Sequence, residues 1–145
     1  MSALRAAREW MAGSTVAHVA FGFLAMGAWA VFANRNHPLP DALLAGLVQG
    51  TISGSLTLVL KKVLERMNAA FFAAPSSDEN MGRPMAALIV PPLITATSIL
   101  AILVGAHAFA GTPEIAATIA VPFAVSTTYA IVYNLKLWRQ AHGRR

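Results

Sequence analysis

The run ALLAGLVQGTISGSLTLVL, Ala42–Leu60, holds nineteen residues without a formal charge. Within it Gly46, Gly50 and Gly54 recur at every fourth position, and Ala42 extends the line upstream. On a helix, positions i and i+4 lie on one face, so this line forms a stripe almost bare of side chains. In water each such glycine weakens a helix by ~1 kcal/mol relative to alanine. In lipid the backbone bonds cannot be surrendered to solvent, and the bare stripe lets another helix come close. The run therefore reads as a membrane-spanning helix whose glycine face is a contact surface.

The rest of the chain agrees. Hydrophobic residues make up 57% of the 145 positions and charged residues 12%, against about 25% charged in ordinary soluble domains. The length suits a single integral membrane domain over residues 1–145, with little outside the bilayer. The net charge of +5 is no sign of nucleic acid, because the cations sit at span ends. Cysteine is absent, which excludes disulfides, thiolate metal sites and cysteine nucleophiles.

Spans are expected at about 14–34, 42–60, 84–109 and 115–135. Arg5 and Arg8 ahead of an apolar run resemble the start of a signal peptide. The run from Ser14 to Asn34 is 21 residues, long enough to cross, so it is read as a retained transmembrane helix, with Trp10 near the interface. Pro40-Asp41 and Pro113-Glu114 both suit helix starts, with proline in the first turn and an acid at the positive end of the dipole. Beyond Leu60, the 3–4 spacing of Leu60, Leu64, Met67 and Phe71 predicts that the second helix continues to about Ala74, into the loop 61–83. Pro91-Pro92 and Pro122 fall inside spans and predict kinks. The expected fold is all-α: a polytopic bundle of four transmembrane helices in two hairpins.

With four spans, both termini and the 61–83 loop share a side. Ten of the eleven Lys and Arg residues fall there (Arg5, Arg8, Lys61, Lys62, Arg66, Arg83, Lys136, Arg139, Arg144 and Arg145), and only Arg35 lies opposite. The positive-inside rule then puts both termini in the cytoplasm, and the short loops and Ala/Gly/Arg usage suggest a bacterial inner membrane. A shift of 73 residues superposes Pro40-Asp41 on Pro113-Glu114, Ser53 on Ser126 and Arg66 on Arg139. This pattern suggests a tandem hairpin repeat about an axis along the membrane normal. Chance in an Ala/Val/Leu-rich background accounts for it equally well.

The six acids all lie outside the spans or at their rims, which argues against a proton-coupled carrier needing a carboxylate at depth. Polar residues do occur at depth. Thr51, Ser53, Ser55 and Thr57, then Thr95, Thr97 and Ser98, then Ser126, Thr127 and Thr128 fall near mid-span, with His18 and Gln49 close to that layer. The functional reading is a hydrated pathway through His18, Gln49, Ser53, Thr57, Thr97, Ser126 and Thr127. The packing reading is that hydroxyls bond carbonyls one turn back or across helices. His37, His107, Asp41 and Glu114 gather toward the outer face but lack a metal-ligand spacing, and solvation at the interface is expected of them.

Small residues form further stripes: Thr97, Ala101 and Gly105 on the third span, and Ala116, Ala120, Ala124 and Thr128 on the fourth. With Gly46, Gly50 and Gly54 they serve either packing within the chain or contact with a partner or second copy. The basic inner rim of Lys61, Lys62, Arg66, Lys136, Arg139, Arg144 and Arg145 suits anionic lipid headgroups. The sequence contains no nucleotide loop, serine elbow, paired catalytic acids or metal motif, so neither an enzyme nor a cofactor is expected. Two functions remain: an oligomeric channel or transporter for a small ion or polar solute, toward which the polar layer leans, or a non-transporting accessory, complex subunit or immunity-type protein.

Overall fold

The computed structural model of the chain describes residues 14–73 and 83–142. They are all-helical: α1 (Thr15–Ala33), α2 (Leu39–Ala73), α3 (Arg83–Phe109) and α4 (Ile115–His142), each long and apolar enough to cross a membrane.

The helix ends follow from side-chain chemistry. Ser14 caps α1, its hydroxyl accepting from the Ala17 N–H at 3.3 Å, which satisfies one of the donors a helix start leaves free. Pro40 and Asp41 occupy the first turn of α2, as the sequence predicts. α3 closes in a Schellman turn: the Thr112 N–H donates to the His107 carbonyl at 2.9 Å and the Gly111 N–H to that of Ala108 at 3.2 Å. Gly111 holds the left-handed φ of 68° that this turn requires.

One end differs from expectation: α4 runs to His142 rather than 135. Charge marks where a span leaves lipid, but Lys136 and Arg139 are exposed on the helix surface and give the backbone no reason to stop. The prolines leave α3 and α4 unbroken. The predicted interfacial Trp10, the basic lead-in 2–12 and the loop stretch 74–82 lie outside the described residues.

By compactness the chain divides into two units, Met1–Leu58 with Leu103–Pro122, and Val59–Ile102 with Phe123–Arg145. In the first, α1 lies against the glycine stripe of α2. A Cβ built on Gly46 would meet Val31 Cγ2 at 2.5 Å and the Gly27 carbonyl at 3.0 Å, and one on Gly50 would meet the Phe23 carbonyl at 2.8 Å. Gly54 is looser, 3.4 Å from Val19. Gly27 on α1 answers the stripe, its own Cβ position 2.9 Å from the Gly46 carbonyl. The bare face is thus filled from within the chain. Leu103, Ala30 and Ala45 are buried in this unit, and Leu64, Ala87, Ile99 and Ala130 in the second.

Candidate functional site

The first unit contains a run of polar side chains with no exposed surface. Asn34, Gln49, His107 and Thr118 are each 0% exposed. Burying such groups is costly unless each finds a partner, and here each does.

Asn34 joins the end of α1 to the start of α4. Its Nδ2 donates to the Ala30 carbonyl at 2.9 Å and to Thr118 Oγ1 at 2.8 Å. Its Oδ1 accepts from the Glu114 N–H at 3.0 Å, so one carboxamide caps two helix ends. Thr118 returns its own proton to the Glu114 carbonyl at 2.6 Å. Beside this, Trp29 Nε1 donates to the Ala117 carbonyl at 3.1 Å. His37 Nε2 lies 3.1 Å from Glu114 Oε1, both partly exposed.

Deeper in the same unit, Gln49 Oε1 faces His107 Nε2 at 3.0 Å, and Thr112 Oγ1 faces His107 Nδ1 at 2.8 Å. A carboxamide oxygen only accepts, so Nε2 carries the proton and Nδ1 accepts from the Thr112 hydroxyl. Gln49 Nε2 then donates to Ser53 Oγ at 2.9 Å. Gln49 lies ten residues into α2, ~15 Å along its axis. His107, expected at the solvated outer face, is instead buried, because the loop that returns from α3 through Thr112 folds over it.

The second unit holds another lock. Pro91 and Pro92 have no N–H, so the carbonyls of Ala87 and Leu88 lose their helical donors. Asn134 Nδ2 supplies both, at 3.1 and 2.9 Å, while its Oδ1 accepts from Asn68 Nδ2 at 3.3 Å. Thr95 donates to the Pro91 carbonyl at 2.7 Å. Nearby, the Tyr133 hydroxyl donates to Glu65 Oε1 at 2.7 Å, and Lys61 Nζ is 3.9 Å from the same oxygen.

Of the residues the sequence singles out for a pathway, Gln49, Ser53 and Thr57 are joined to one another, all within α2. His18 is exposed and bonds the Ser14 carbonyl on its own helix at 2.9 Å. Thr57 and Thr97 are exposed and donate one turn back, to Ser53 and Leu93, both at 2.9 Å. Ser126 and Thr127 are half-buried, and Thr127 Oγ1, itself covered, has no partner among the described residues. Among the small residues, Gly46, Gly50 and Gly54 are buried, whereas Ala101, Gly105, Ala120 and Ala124 are exposed. Two apolar grooves lie in the second unit. One, of about 570 Å³, follows α4 from Ala124 to Lys136. The other, of about 480 Å³, runs between Leu88–Ala96 and Thr127–Leu135.

Sequence reasoning missed Asn34, Asn68, Asn134, Thr112 and Thr118. A signal for Asn134 was present: a carboxamide in the apolar run before Lys136, in a chain that has orphaned two carbonyls with Pro91-Pro92. No family model, curated protein or solved structure matches this chain.

Proposed function

We propose that this chain is a multi-pass membrane accessory, with both termini cytoplasmic in a bacterial inner membrane, that acts as a subunit of a larger membrane assembly through helix contacts in the bilayer. The observation that carries this reading is Gly105. Gly46 and Gly50 have an evident use, since any side chain there strikes α1. Gly105 sits in the last turns of α3, exposed, and a Cβ built on it meets nothing within 4 Å. A helical glycine with open space beside it makes no close contact within the chain. A helix of another subunit pressed against that backbone supplies the missing reason. Ala116 and Ala120 of α4, exposed in the same unit, offer further low surface.

The orientation rests on the ten-to-one distribution of Lys and Arg. The polar side chains support the accessory reading in a second way. Thr51, Thr57, Thr95, Thr97 and Thr118 all direct their protons to a carbonyl one turn back, the arrangement of hydroxyls that pack.

The test is assembly in native membranes. Wild-type protein extracted in mild detergent should run as a stoichiometric complex, with itself or another membrane protein. Gly105→Leu should release the free chain with its helix content intact. An unchanged particle for Gly105→Leu and Ala120→Leu would sink the proposal.

One observation favours a second reading, a channel or transporter for a small ion or polar solute. An imidazole, a carboxamide and two hydroxyls meet around the buried His107, and polar groups inside a span are functional candidates by default. That reading expects the purified protein alone in liposomes to pass a solute, at a rate altered by Gln49→Leu. The accessory reading expects silent liposomes.

A further inference from the structure

We infer that the groove along α4 in the second unit is a binding site for one anionic phospholipid of the inner leaflet. Its lining comes entirely from α4: the row Ala124, Thr128, Val132 and Lys136, and beside it Val125, Tyr129 and Tyr133. From Ala124 to Lys136 the helix rises ~18 Å, close to half of the ~30 Å hydrocarbon core, which is the reach of one acyl chain. The apolar part of the row is exposed at Ala124, Thr128 and Val132. At the cytoplasmic end the row terminates in the exposed ammonium of Lys136, 6.0 Å from the centre of the Tyr133 ring.

Charge identifies the occupant. The acid nearest to this end, Glu65, is held by the Tyr133 hydroxyl and by Lys61. Among the described residues the ion pairs are His37–Glu114 and Lys61–Glu65, and Lys136 belongs to neither. One turn on, Arg139 adds a second exposed cation. A groove one leaflet deep that ends in two cations matches an acyl chain below a phosphate headgroup. The stacked rings of Tyr129 and Tyr133, 5.5 Å apart, give the chain a flat, rigid wall at the level where aromatic residues favour the interface. The inference rests on the bilayer location and orientation proposed above but does not depend on the chain's assembling with a partner.

The experiment is native mass spectrometry of the intact protein in detergent, offered phosphatidylglycerol and phosphatidylcholine with the same acyl chains. Wild type should retain one phosphatidylglycerol in preference to phosphatidylcholine by about fivefold per cation engaged. Lys136→Gln should remove most of that preference. Thr128→Trp and Ala124→Phe, which fill the groove from exposed positions, should lower retention of both lipids while circular dichroism reports unchanged helix. Equal retention of the two lipids by wild type would overturn the inference. So would a preference left undiminished by Lys136→Gln. If inorganic phosphate displaced the lipid, or if both groove-filling variants retained it fully, the headgroup would be held by the basic rim alone and the groove would be excluded.

Discussion

Asn134 donates its carboxamide N–H to the carbonyl of Leu88 at 2.9 Å, the acceptor that Pro92 leaves without a helical donor. The second hydrogen of the same nitrogen serves Ala87, orphaned by Pro91. One side chain on α4 thus repairs two gaps in α3, and this lets a Pro-Pro pair persist inside an apolar helix. Asn134→Leu should destabilise the protein on the order of 1–2 kcal/mol, as judged by thermal unfolding in detergent. The effect should shrink when Pro91→Ala and Pro92→Ala restore the missing N–H groups. Full additivity of the three changes would refute this account.

A Cβ on Gly50 would lie 2.8 Å from the Phe23 carbonyl of α1. Gly50→Leu should therefore force α1 away and lower the melting temperature sharply. Leu47→Ile, on an exposed part of the same helix, should melt like wild type. Equal melting of the two variants would mean that α1 does not rest on this face.

The Gln49–His107 bond joins residues 58 positions apart with no exposed surface at either end. His107→Leu leaves the Gln49 carboxamide and the Thr112 hydroxyl without their partner, so it should cost on the order of 1–2 kcal/mol. The double variant with Gln49→Leu should cost less than the sum of the single changes, with a coupling of ~0.6 to ~1.7 kcal/mol. A coupling near zero would show that the two side chains do not meet.

Orientation is accessible because the native chain has no cysteine. A single cysteine at Asn36, exposed beyond the end of α1, should react with an impermeant maleimide on intact cells. One at Arg139 should react only once the membrane is permeabilised. The reverse pattern would invert the orientation and move the proposed lipid site to the outer leaflet.

Much of the architecture was legible residue by residue. The apolar runs that became α1 to α4, the proline-acid start of α2 and the continuation of α2 past Lys61 all follow from composition and spacing. The glycine stripe was legible as a contact face, though not as one closed by α1. The polar layer was harder to read. Thr57 and Thr97 share its depth in sequence terms, yet each is satisfied within its own helix, and His18 bonds one turn back. His107, read as an outer-face residue, is buried because the turn at Gly111 brings Thr112 over it.

The sequence by itself determined four helices long and apolar enough to span a bilayer, because transfer from water to lipid and local backbone bonding sum over neighbouring residues. Only the tertiary structure decided which polar groups meet. Asn34 with Thr118, Gln49 with His107, and Asn134 with the carbonyls of Ala87 and Leu88 depend on the rotation and register of helices far apart in sequence. An apolar run leaves both undefined, since any face of such a helix is equally at home in lipid; each is settled when a buried amide or imidazole finds its partner.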